Sequence, residues 1–241
     1  LRQVEAAFRD GWTALARRPA MTAAAFEEGL LSLYERLFWA VPAGLPGQPD
    51  LPLHDHARLV AALAAALLRI HAAAGTLADP AAPQDGAEAK LRFLVGDLSG
   101  LQRTLYRLKA QGVEGLAKLL RGRSMRFQLI ADATVRRALA AFDMPMSAAL
   151  QTAGGRFLIL VPALPDAELR LDALRAEADD WFAAQYSGDL ALGLALSAPF
   201  AAGELSPRPD GSGPGAPRAQ ALRAGITGAA ENARLRQMQG P

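Results

Sequence analysis

The sequence has no cysteine, only three histidines, and very few lysines among its 26 basic residues. Without cysteine there are no disulfides, no thiol nucleophile and no cysteine-ligated zinc, a pattern expected of a cytoplasmic protein. A strong charge of one sign is also missing. The net charge is only +2, so any nucleic-acid surface must be a local patch. The excess of arginine over lysine, beside abundant alanine, reads as the mark of a GC-rich genome rather than of DNA binding. Long apolar runs are lacking too. The longest, "LVAALAAALL" at 59–68, lies between Arg58 and Arg69; it is expected to be too short to span a bilayer, and no signal peptide is expected before it. The chain opens on Leu1 rather than Met, and it is expected to be a fragment of a larger protein.

What is present suffices for a core. Hydrophobic residues make up 51% of 241 positions, enough for one large domain or two ordinary ones. Residues 1–75 show helical spacing, with Glu5, Phe8, Trp12 and Leu15 on one face and Phe26, Leu30, Leu33 and Leu37 on another. A turn-rich piece, "VPAGLPGQPDLP", precedes a helix at 53–74, where His56, Val60, Leu63, Leu67 and Ile70 form an apolar stripe. The stretch 76–89, rich in Pro, Gly and Asp, is expected to be a linker between two domains. Beyond it the pattern changes. "KLRFLVGD" predicts a strand, 100–141 are mostly helical, and "ALQTA" predicts a short strand. Gly154-Gly155 predicts a two-residue hairpin turn into the strand "RFLILVP". A helix over 166–186 and a last strand, "DLALGLALS", complete a βαββαβ order, a ferredoxin-like unit over 90–200. The fold class is therefore α+β. Residues 201–241 are expected to be loop followed by a helix at 217–238.

Several groups could carry chemistry. In "LVGDLSGLQ", Gly96, Asp97, Ser99 and Gly100 are expected at a strand-to-helix turn. Glycines there allow close backbone approach, Asp or Ser caps the helix, and a helix N-terminus suits phosphate. An ordinary strand-to-helix corner would carry the same residues. In "LPLHDHARL", His54, Asp55 and His56 adjoin at a helix start, and such pairs, here Asp55 and His56, can bind divalent metals in phosphohydrolases. Alternatively, Asp55 caps the helix and His56 belongs to the apolar stripe. His71 cannot complete a site with His56 on one straight helix, because the rise of about 1.5 Å per residue separates them by roughly 22 Å. Residues 101–130 hold seven basic residues against one acidic residue, Glu114. Among them Lys118, Arg121, Arg123 and Arg126 are candidates for RNA or partner contact, since guanidinium matches phosphate. A merely solvated face is the other reading. Aromatic residues are thin there, Tyr106 and Phe127 only, so base stacking is not indicated. Finally, Gly154 and Gly155 stand at the hairpin where palm-type polymerases and cyclases carry metal-binding aspartates. Here Arg156 and Phe157 follow instead, and a two-metal mechanism needs carboxylates.

Four segments, "PDLPLHDHARLVAALA", "VGDLSGLQ", "LAKLLRGRSMRFQLI" and "AGGRFLILVP", occur in this order within roughly 30–165. Together they resemble motifs of the large, cyclase-like subunit of type III-A CRISPR–Cas effectors, the Csm complex. Met125 stands where that family usually has an aromatic residue, Pro52 where it has Ser, and His54 where it has Tyr. The resemblance implies an HD-type nuclease domain, a first palm, a zinc insertion, a second palm with a G-G-D-D motif, and a helical C-terminal domain. On that pattern the chain holds the rear of the HD domain (1–75) and the first palm. The implied activities of the whole protein are target-RNA-activated synthesis of cyclic oligoadenylates from ATP with Mg²⁺ or Mn²⁺, and cleavage of single-stranded DNA. The implied partners are CRISPR RNA, target RNA and the small Csm subunits. Gly96, Asp97, Ser99, Gly100, Gly154 and Gly155 would face a nucleotide cleft shared by the two palms, and Asp55 and His56 would be remnants of an HD metal site. The sequence lacks an early His-Asp motif, zinc cysteines and G-G-D-D, so the chain alone is expected to be inactive. A non-catalytic scaffold subunit is the second reading, and a stand-alone palm cyclase the third.

Overall fold

In the computed structural model, residues 2–45, 50–106 and 115–205 are described. The expected helix at 217–238, with Arg107, Lys109 and Glu114, lies outside them. The N-terminal part is helical. α1 (Arg2–Ala16) and α2 (Ala23–Phe38) form a hairpin closed by an aromatic cluster of Phe8, Trp12, Phe26, Tyr34 and Phe38. Thr22 caps α2 by accepting from the Ala25 amide at 3.1 Å. α3 (Leu53–Ala74) ends at Gly75, whose φ of +70° permits the left-handed cap.

The ferredoxin-like unit is formed by β1 (Leu91–Ser99), α4 (Leu101–Tyr106), α5 (Leu116–Ala141), β2 (Ala149–Ala153), β3 (Arg156–Pro162), α6 (Ala167–Tyr186) and β4 (Ala191–Leu196). The sheet order is β2-β3-β1-β4, antiparallel throughout. Gly154 and Gly155, at φ +60° and +84°, make the expected hairpin turn. β1 is central and buried along nearly its whole length, and its apolar sequence meets that demand on both faces.

Two expectations are corrected. β1 does not stop at Gly96-Asp97. It runs two residues further and pairs on both edges, with Gly96 opposite Phe157 and Leu194 and Asp97 opposite Arg156 and Gly193. The turn falls at Gly100, φ +87°. In α3 the buried positions are His54, Ala62, Ala66 and His71, while Val60 is 49% exposed. The sheet side of the helix thus carries small alanines rather than the larger residues of the expected stripe, because close approach of a helix to a sheet demands small side chains. By length and composition α3 could cross a membrane, but Ala62 and Ala66 sit fully buried in the same core as Phe93, Ile159 and Phe142.

The helical hairpin is tied to the ferredoxin-like unit by carboxylates. Glu27 accepts from the backbone N–H groups of Met146 and Ser147 at 3.2 and 2.9 Å, and Glu28 pairs in a fork with Arg136 of α5. The hydrogen bond from Arg136 holds the Glu28 carboxyl below its usual range, opposed in part by desolvation. A carboxyl depressed on folding stabilises the fold above its unfolded-state pKa of about 4.3, and the contribution is lost as pH falls through the folded value. Glu28→Gln should therefore flatten the acid limb of stability below about pH 4.3, read as the urea midpoint against pH. An unchanged limb would show that the fork contributes nothing in solution.

Candidate nucleotide half-site

The open end of the sheet gathers most of the residues singled out around β1 and the hairpin. β1 ends at Ser99 beside the β2–β3 turn, and the Leu98 amide donates to the Gly155 carbonyl at 2.8 Å. A side chain at Gly155 would meet Leu101 at 2.4 Å, so this glycine lets the hairpin close onto the start of α4; Gly154 faces open space. Gly100 lies against the turn before β4, where an added Cβ would sit 2.1 Å from the Asp189 carbonyl oxygen. Thr104 stitches the same corner, its hydroxyl donating to the carbonyls of Gly100 and Asp189 at 2.9 and 3.0 Å. Gly96 stands apart in role. A Cβ there would overlap the Phe157 ring at 2.0 Å, so packing of Phe157 accounts for the glycine without any ligand.

Two side chains at this end are polar and placed by the strands. Asp97 is buried, its side chain 9% exposed, and accepts from Arg156 Nε at 3.1 Å. Ser99 is partly buried, and its hydroxyl reaches the Ala191 carbonyl only at 3.5 Å, a long contact for an O–H donor. Arg156 was legible in the sequence only as a missing carboxylate. Its pairing depends on a β1–β3 register that joins residues 59 apart, and no local signal reports that.

The basic candidates separate. Arg123 is half-buried and donates to the Thr104 carbonyl at 3.2 Å, a strut between α4 and α5. Lys118, Arg121 and Arg126 are exposed, and Arg126 lies over the Tyr186 ring at 5.3 Å. Next to Arg126, α5 and α6 splay around a groove of about 430 Å³ lined by Ile130, Ala133, Leu174, Ala178 and Trp181.

Asp55 and His56 do not assemble a metal centre among the described residues. Asp55 is exposed and contacts His54 Nδ1 at 3.2 Å, and no group of three or more metal-ligating side chains forms there. His54, not His56, is the buried histidine at the start of α3. Arg58, one turn on, is pushed below its ordinary pKa by burial, with Asp55 and Glu35 opposing. Among the described residues, Asp55 and His56 gain no third ligand, so this donor set alone does not fit a resident divalent ion.

A family model, "Csm1 subunit domain B", matches residues 90–235, the span that contains the sheet, the hairpin and the Asp97–Arg156 pair. The chain belongs to the Csm1 family. Two curated relatives carry the name "CRISPR system single-strand-specific deoxyribonuclease Cas10/Csm1 (subtype III-A)". The protein from Thermococcus onnurineus is 32% identical over 144 residues, covering 60% of this chain and 18% of the relative. The one from Mycobacterium tuberculosis is 28% identical over 190 residues, covering 76% and 23%. A solved Csm1–Csm4 cassette in complex with pppApApA is 26% identical with a TM-score of 0.73, covering 98% of this chain and 30% of that one. The chain thus spans less than a quarter of the length of either curated relative.

Proposed function

We propose that this chain is the first-palm portion of a type III CRISPR interference subunit and supplies the non-catalytic half of its ATP cleft. One observation carries the reading. The hairpin and the end of β1 meet as in a palm, but the carboxylate expected at the hairpin is replaced by Arg156, bonded to Asp97. The family supplies the context, and the relative solved with pppApApA supplies the ligand class. In the whole protein, target RNA would activate cyclic oligoadenylate synthesis from ATP with Mg²⁺ or Mn²⁺, and the HD part would cut single-stranded DNA. Among the described residues no group of three or more metal-ligating side chains comes together for either step. They position: Gly154 and Gly155 give backbone access, and Ser99 offers a hydroxyl little engaged by the protein. Residues 1–75 would be the rear of the HD domain and 76–89 its linker, with α3 the piece that docks on the palm. Lys118, Arg121 and Arg126 would face CRISPR RNA, target RNA or a neighbouring Csm subunit, in the cytoplasm.

The test is Ser99→Ala in the full-length parent. ATP use should weaken several-fold, the factor supplied by one neutral hydrogen bond of about 0.5–1.5 kcal/mol, with assembly intact. Replacing Lys118 and Arg121 should instead lower assembly or RNA affinity in a salt-dependent way. Normal ATP kinetics in Ser99→Ala would remove that residue from the site. If the 241-residue chain proves to be the whole natural subunit, the scaffold reading gains instead.

A further inference from the structure

We infer that Arg156, aimed by Asp97, is a built-in cation that binds a phosphate of the nucleotide directly, at a place where a working palm holds a metal ion. The inference rests on the reading of this sheet end as a nucleotide half-site. It begins with register. Asp97 and Arg156 are directly opposite on β1 and β3, so their side chains leave the same face of the sheet with Cβ atoms roughly 5 Å apart. Two carboxylates at such paired positions would share a divalent cation between them. This chain has one carboxylate and one guanidinium there. The positive charge is covalently part of the protein, and a metal ion beside Asp97 would meet it as a like charge.

Burial sets the direction in which the cation acts. The Asp97 side chain is 9% exposed and that of Arg156 is 63% exposed. The carboxylate therefore lies behind, and the guanidinium lies toward solvent. Arg156 spends Nε on Asp97 at 3.1 Å, and its Nη groups have no hydrogen-bond partner among the described residues. Those N–H groups form the outer edge of a planar fork, the geometry that takes two phosphate oxygens at once. Lysine would offer a point charge without the fork. Asp97 is the positioning residue: it restricts a long, entropically costly side chain to one orientation before any ligand arrives. Gly155 and Gly154 precede Arg156 directly, and Gly154 has open space on its Cβ side, so the approach is unobstructed by side chains of the turn. A plain cross-strand ion pair would also show the Nε bond. In a plain pair the longer arginine would also be the exposed partner, so what separates the two is whether Arg156→Gln loses triphosphate affinity.

The experiment titrates the folded 241-residue chain with ATP and with inorganic triphosphate in EDTA, following amide and arginine Nε–H resonances by NMR. ATP should shift the Gly100, Gly155 and Arg156 signals without metal. Arg156→Gln should weaken triphosphate binding tenfold or more, Arg156→Lys should restore part of it, and Asp97→Asn should cost less than Arg156→Gln. Circular dichroism establishes that each variant is folded. Because Asp97→Asn strains a buried site, Arg156→Glu provides an independent arm: it should gain Mn²⁺ binding, read by electron paramagnetic resonance, that the parent chain lacks at Asp97. Unchanged triphosphate affinity in Arg156→Gln, with Gly100 and Gly155 still responding to ATP, would overturn the inference and leave the half-site standing. If no signal at this sheet end responds to ATP, both fall. Mn²⁺ bound at Asp97 in the unaltered chain would overturn the replacement of metal by guanidinium.

Discussion

Gly100→Ala should destabilise the chain by roughly 2–5 kcal/mol, from a disallowed backbone conformation added to an overpacked contact. Both contributions are visible. Gly100 sits at φ +87°, where a Cβ is strained whatever the space, and that Cβ would lie 2.1 Å from the Asp189 carbonyl oxygen. The neighbouring atom is backbone, held by the Tyr186 carbonyl through the Asp189 amide at 2.9 Å and by the Thr104 hydroxyl at 3.0 Å. It cannot swing aside as the end of a side chain would. The measurement is urea unfolding of the chain with and without the substitution. A midpoint within error of the parent would mean that the β1–β4 corner is soft, and Gly100 would then need a ligand to explain it. Against a typical total of about 5–15 kcal/mol, the expected loss is large enough to unfold part of the population.

Phe142→Ala should cost a further class of energy, about 3–5 kcal/mol, through lost burial and the cavity left behind. Phe142 is the largest of the fully buried side chains, and it closes α5 with its amide bonded to the Leu139 carbonyl at 3.2 Å. It shares one core with Ala62 and Ala66 of α3, Leu139 of α5, Ile159 of β3 and Leu171 of α6. Truncation therefore loosens both the helical part and the sheet, and the two should melt together. A single cooperative transition, shifted down and followed by Trp fluorescence and far-UV circular dichroism alike, is the expected record. If the α1–α2 hairpin melts separately at its original temperature, the shared core does not couple them.

These two residues show what local patterns can and cannot reveal. The Gly154-Gly155 turn was legible because positive φ at two consecutive positions is a local demand that glycine meets at no steric cost. The helix at Ala167–Tyr186 and the strands on either side of the turn were legible for the same reason: periods of 3.6 and 2 are properties of short segments. The order of those segments then allowed few topologies, and the ferredoxin-like sheet is among them. β1 was legible as a strand but not in its length, because its last residues are held by partners on both edges rather than by their own propensity.

The site was legible as a cluster of residue types, not as an arrangement. Sequence alone determined that glycines, one carboxylate and one hydroxyl fall near one strand end, and that an arginine follows the hairpin. Tertiary structure decided what each is for. Gly96 makes room for Phe157, and Gly100 for Asp189. Arg123 became a strut and Lys118 and Arg121 stayed on the surface, because helix phase against α4 and the core fixes which arginine turns inward. His54 rather than His56 entered the interior, since the alanine face of α3 fits closest to the sheet. Asp97 found Arg156 across 59 residues of chain. Secondary structure is set by sterics within a few residues, whereas a charge pair, a close approach or a buried face is set by which segments the chain brings together.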